Sequence, residues 1–200
     1  VAKGRCLPYG ESITFWPLLS IMREAAGIEQ DETGEAARAK VERLSGDVEV
    51  ARRVASALDW SQEDLPVAEL FWGIREVLAG LARDRPLVIV IDDVHWAAPT
   101  LIELIEHLIE EVTDAPILLL CTARPLMLDT RPDWSDGESA TRLLLARLPD
   151  EASVQLIRNM TGGLEMPPEL TRTILRAAEG NPLFVEQLVS MLIDEGTLVQ

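Results

Sequence analysis

The chain has 200 residues, 48% of them apolar, and a net charge of −16 from 34 acidic and 18 basic side chains. That length and apolar content suit one or two globular domains with a sizeable core. The acidic balance argues against direct binding of nucleic acid by a broad basic surface, but leaves room for a small anionic ligand held by local donors and a metal.

Among the basic residues only Lys3 and Lys40 are lysines. Val1–Cys6 is followed at once by polar and turn residues, unlike a signal peptide, and the apolar runs are too short to span a bilayer. A cytoplasmic protein with no membrane partner is the expectation. In chain order, "VAKGRC" predicts a short strand and "LPYGESITFWP" a loop. Pro17–Ala26 opens a helix, and Thr33–Leu58 gives two polar helices broken at Gly46–Asp47. Asp64–Arg85 predicts a longer amphipathic helix, with Leu70, Ile74, Val77, Leu78 and Leu81 at helical spacing. The apolar run Leu87–Ile91 predicts a strand that ends in Asp92 and Asp93. Pro99 then opens a helix whose apolar face is Leu101, Leu104, Ile105, Leu108, Ile109 and Val112. Ala98 stands before it where an N-capping side chain would serve. A second apolar strand, Ile117–Cys121, ends in Thr122-Ala123-Arg124-Pro125. Leu128–Ala140 predicts a polar loop, and Arg142–Ala146 a further strand.

From Pro149 onward the sequence predicts three helices, with Gly163, Gly180 and Gly196 at their ends. The expected organisation is an α/β domain over residues 1–149 and an all-helical part over 150–200. Continuously apolar strands alternating with helices predict a parallel sheet covered on both faces.

In such sheets ligands sit beyond the carboxyl ends of the strands, where Asp92, Asp93 and Arg124 fall. An apolar strand ending in an acid has the form of a Walker B element. A nucleotide's Mg²⁺ needs a carboxylate to hold it or its waters. A second carboxylate beside it can orient and deprotonate an attacking water. The plain alternative is that Asp92 or Asp93 caps a loop. Arg124, on the next strand, can read a terminal phosphate; the plain alternative is a surface arginine.

"LVIVIDDVHWAAPTLIELI", "ILLLCTARP" and "EGNPLFVEQLV", in this order, resemble the STAND class of P-loop ATPases. They are most similar to the ATPase modules of class III adenylate and guanylate cyclases and of large LuxR-type transcriptional regulators. "GRCLPYGESITFWPLLSIMRE" resembles the segment after the P-loop helix in the cyclase-linked group. The resemblance implies ATP and Mg²⁺ as ligands, with Asp92 as the metal-site acid, Asp93 as the catalytic, water-activating acid and Arg124 as the catalytic sensor arginine. It implies that Asn181 and Pro182, in Gly180-Asn181-Pro182, belong to a helical lid in which the proline packs on adenine. An N-cap followed by a helix-starting proline is the plain alternative there. His95 and Trp96 fit the motif without an assigned role.

A P-loop reads GxxxxGK[ST], and neither Lys3 nor Lys40 lies in one. The expectation is therefore a P-loop NTPase-type sheet lacking its first strand, followed by the helical lid. The upstream P-loop segment and attached effector domains are the expected partners, with self-association left open. The function expected is that of a fragment of a regulatory, signal-transducing ATPase. The alternatives are a nucleotide-free scaffold on the same fold and a conventional motor or loader. The resemblance also places Cys6 and Cys121 on strands separated by a third, roughly 9–10 Å apart, which predicts two free thiols.

Overall fold

The computed structural model describes residues 1–8, 14–29, 31–32, 34–58, 65–83, 85–134, 137, 139–164 and 166–196. Its elements in chain order begin with β1 (Ala2–Arg5), α1 (Trp16–Ala26), α2 (Gly34–Ser45), α3 (Val48–Ala57) and α4 (Val67–Ala82). Then come β2 (Leu87–Asp92), α5 (Pro99–Glu111), β3 (Ile117–Cys121) and the single-turn α6 (Met127–Thr130). The last elements among the described residues are the helices α7 (Asp150–Met160), α8 (Pro168–Ala178) and α9 (Pro182–Asp194). These elements form two compact units, residues 1–141 and 142–200.

The sheet of the first unit has three parallel strands in the order β1-β2-β3. Ile91 pairs with Gly4 on one side and Cys121 on the other. Parallel neighbours need long crossovers, supplied by α1–α4 between β1 and β2 and by α5 between β2 and β3. The order never reverses. Right-handed crossovers that keep stepping the same way place their helices on the same face. That face is covered: Ile89 and Ile91 share one core with Leu18, Ile21, Ile74, Leu78 and Leu104. The other face carries Lys3, Val88, Val90, Leu118 and Leu120, and Leu118 is 61% exposed. The sheet was expected to be covered on both faces; within this unit one is, and the unreversed strand order is the reason.

Gly4 lets α1 approach β1 closely, because a Cβ there would collide with Pro17 O. α3 starts where Gly46–Asp47 predicted a break: Asp47 Oδ1 accepts from the Glu49 and Val50 amides at 2.7 and 3.2 Å. The helix expected from Asp64 begins at Val67, after Pro66 in an extended conformation; residues 59–64 lie outside the described ones. Proline disfavours a helical residue before it, which sets the start. α5 runs for thirteen residues from Pro99, and Ala98 provides no side-chain cap.

Two further expectations are corrected. The strand predicted over Arg142–Ala146 does not form. Leu143, Leu144 and Leu145 are 76%, 74% and 96% exposed. An apolar run becomes a strand only when a neighbour takes its N–H and C=O groups, and the three-stranded sheet does not include it. Within the predicted loop Leu128–Ala140, α6 forms a helical turn beginning at Met127, which is buried; residues 135, 136 and 138 lie outside the described ones.

In the second unit α7, α8 and α9 close around Ile157, Ile174, Ala178, Val185 and Val189. The chain passes from α8 to α9 through Glu179 and Gly180, both with positive φ. The Leu148 amide donates to Gly180 O at 2.8 Å. A Cβ on Gly180 would lie 2.5 Å from Leu148 O, so the turn requires glycine twice over, for its φ and for this approach. No helix among the described residues is long and apolar enough to cross a membrane.

Candidate functional site

The carboxyl ends of the three strands bring together residues far apart in sequence. β2 runs out at Asp92, and the chain turns through Asp93 in the left-handed conformation, φ 59° and ψ 40°. Aspartate is among the few residues with a side chain that tolerate it. A short 3₁₀ turn, Val94–Trp96, follows, anchored by the buried Val94.

Thr122, just past β3, clasps this turn. Its hydroxyl donates to Asp92 Oδ1 at 3.0 Å and accepts the Asp93 amide at 3.1 Å. Its carbonyl accepts from Val94 N at 2.9 Å, and its amide donates to Ile91 O at 3.1 Å. From the other side, the Cys6 amide donates to Asp92 O at 2.9 Å. Arg5, the last residue of β1, directs Nε and Nη2 to Asp93 Oδ2 at 2.9 and 2.8 Å.

Arg124 lies in the same cluster through its backbone. Its amide donates to His95 Nδ1 at 3.4 Å, and its carbonyl accepts from Met127 N at 3.0 Å. The Arg124 residue itself is exposed. His95 Nδ1 is also 3.9 Å from Asp93 Oδ1. Cys6, just past β1, and Cys121, the last residue of β3, are free thiols. Burial, and then the Asp93 carboxylate, push the Cys6 thiol up to about 11. Burial, and then Cys6, push Cys121 up to about 12. Both are thus neutral packing groups at physiological pH.

Asp92, Asp93 and Arg124, picked out from the sequence, are therefore neighbours across β2 and β3. Arg5 and Thr122 were missed. Each sits at the carboxyl end of a strand flanking the two aspartates, which was the available signal. Chemically, the cluster offers two carboxylates and a hydroxyl as oxygen donors, with two arginine side chains nearby in sequence and fold. It has the composition of a site for a cation paired with an anion.

A family profile described as an AAA ATPase domain matches residues 1–120. The chain belongs to the AAA ATPase domain family. That match takes in β1, β2 and both aspartates of this AAA ATPase domain, and ends within β3, before Thr122 and Arg124. A second profile, described as a domain of unknown function (DUF8739), matches residues 149–198. An uncharacterized protein of Rhizobium meliloti (strain 1021) is 26% identical over 211 residues, covering 97% of this chain and 20% of the relative. The chain thus spans about a fifth of the length of that curated relative. No solved structure matches.

Asn181 and Pro182 lie in the second unit. Asn181 Oδ1 accepts the Leu183 amide at 3.0 Å, and Pro182 is the first residue of α9, so the pair starts this helix as the plain reading had it. An open groove of about 490 Å³ lies beside them, lined by Leu145, Ala146, Arg147, the Ala177–Pro182 turn and Phe184.

Proposed function

We propose that this chain is part of a regulatory ATPase, which binds ATP with Mg²⁺, hydrolyses it slowly and uses the nucleotide state to control an attached effector. The observation that carries the reading is the Asp92–Asp93 pair at the end of the central parallel strand, in a chain of the AAA ATPase family. Asp92, steadied by Thr122, holds the metal or its waters. Mg²⁺, when bound, neutralises charge on the phosphate oxygens. The donor set fits it: the Asp92 and Asp93 carboxylates and the Thr122 hydroxyl are hard oxygens gathered at one strand end. That is the pattern of Mg²⁺ held by one or two carboxylates and completed by phosphates and water.

Asp93 orients the attacking water and takes its proton. Arg124 senses the terminal phosphate, and Asn181 and Pro182 contribute to the adenine side. The phosphate cradle comes from a P-loop strand and helix outside these 200 residues. The strand order offers a place for it. A strand added beyond β3 by a connection that steps back would reverse the order and create the switch point where ligands bind in open parallel sheets. The effector is of the cyclase or transcription-regulator class that the sequence resembles.

The Arg5–Asp93 ion pair favours a second reading, a nucleotide-free interaction module on the same fold, because it occupies the candidate base. Calorimetric titration with Mg-ATP separates the two, using this chain and one extended upstream to include the P-loop. The ATPase reading expects micromolar binding by the extended chain and very weak binding by the 200 residues alone. No binding by either favours the scaffold. Micromolar binding by the short chain would mean that its phosphate site is built from other residues.

A further inference from the structure

His95 is the polar residue of the Asp93 turn that the proposed chemistry leaves unused. Its side chain is only 9% exposed. Nδ1 accepts the Arg124 amide, which puts the neutral ring's proton on Nε2. Nε2 is buried and has no hydrogen-bond partner among the described residues. An unpaired buried donor is costly. A phenyl ring would fill the same space beside Trp96, whose ring lies 4.9 Å away, without that cost. What a phenyl lacks is the acceptor at Nδ1. Of the two groups facing Nδ1, the Arg124 amide at 3.4 Å is within hydrogen-bond distance and Asp93 Oδ1 at 3.9 Å is not, so the contact that justifies a histidine here is the one to Arg124.

Among the described residues, the other hydrogen bonds between the two loops stop at Thr122. Beyond it Ala123, Arg124 and Pro125 are exposed, and Pro125 has no amide to give. His95 is the link that extends the clasp to Arg124, whose carbonyl is already engaged by α6.

We infer that His95 is a positioning residue: through Nδ1 it holds the backbone of Arg124 in register with the Asp93 turn, so that candidate sensor and candidate base move as one body. Its effect on hydrolysis rests on the ATPase reading above; the tie between the loops does not.

Two variants separate the acceptor from the ring. His95→Phe keeps the ring and loses the acceptor; His95→Asn loses the ring and can place an oxygen near Nδ1. In the 200-residue chain, long-range ¹⁵N–¹H spectra of wild type should show the proton on Nε2. Amide exchange at Arg124 should speed up about tenfold or more in His95→Phe and stay within about twofold of wild type in His95→Asn. In the extended chain, His95→Phe should lower kcat about tenfold with KM within about twofold, and His95→Asn should restore most of it. If the wild-type extended chain hydrolyses no ATP, the ATPase reading fails and the exchange measurement alone decides the tie. A proton on Nδ1, or equal exchange at Arg124 in wild type and His95→Phe, overturns the inference. If His95→Phe does not fold, the wild-type tautomer and His95→Asn still decide it.

Discussion

Both Nε and Nη2 of Arg5 converge on a single oxygen of Asp93, Oδ2, across 88 residues of chain. The Arg5 side chain is 71% exposed, and exposed pairs contribute roughly 0–1 kcal/mol after screening and ordering. Arg5→Ala should therefore shift the urea unfolding free energy by less than about 1 kcal/mol. A larger loss would mean that the pair supports the fold rather than the site.

The two aspartates should separate by kinetics in an extended chain that carries the P-loop. Asparagine tolerates the left-handed backbone of residue 93, so Asp93→Asn should fold and bind Mg-ATP while losing about 10²-fold or more in turnover. Asp92→Asn keeps an oxygen for the Thr122 hydroxyl but loses the charge a cation needs, so it should weaken the Mg²⁺-dependent part of binding. Equal effects of both on binding, with turnover unchanged, would sink the assignment.

The thiols give a pH dependence with a definite sign. Cys6 and Cys121 are raised in the folded state from an ordinary 9.0 to about 11 and about 12. The unfolded chain therefore releases these protons first, and their contribution to stability is complete below pH 9 and declines as pH rises through 11. Urea midpoints measured from pH 8 to 11 should fall, and a Cys6→Ala, Cys121→Ala double variant should flatten that fall. Thiol titration of the unreduced, denatured chain should find both groups free.

α5 starts without a capping side chain and without an acid in its first turn. Ala98 already has the extended backbone of an N-cap, φ −63° and ψ 151°. Ala98→Asp should stabilise the first unit by about 1 kcal/mol, read as a higher urea midpoint at unchanged slope.

Gly180→Ala should destabilise the second unit by about 1–3 kcal/mol, from its positive φ and its contact with Leu148 O. Proteolysis at Arg147 and Arg158 should speed up. Unchanged cleavage would show that the turn relaxes freely.

The elements legible in the sequence were those whose signal is local. Leu87–Ile91 and Ile117–Cys121 are uninterrupted apolar runs, and both are strands. Pro99 and Pro182 announce helix starts, and both are first residues. The Arg142–Ala146 error has the same source as those successes. "RLLLA" resembles a strand by composition, but hydrogen-bond partners are not written in a five-residue window. Arg5 and Thr122 went unseen because their roles exist only once β1, β2 and β3 are laid in order and register. Neither position is unusual by itself; what matters is ending level with Asp92 on a parallel neighbour.

The clasp at Thr122 has a consequence for the whole sheet. β3 reads Ile-Leu-Leu-Leu-Cys, and β2 is nearly as uniform. Sliding one past the other by a residue would exchange apolar side chains for apolar side chains, so greasiness alone sets no vernier between them. The first groups that can tell one alignment of β2 and β3 from another are polar and lie at the strand ends: the Thr122 hydroxyl on Asp92. The Asp92 carboxylate offered for chemistry thus also acts as an index mark by which β2 and β3 find their alignment, whereas β1, Ala-Lys-Gly-Arg with alternate residues buried, is aligned by its own pattern. Thr122→Val keeps the shape of that side chain and removes one such mark.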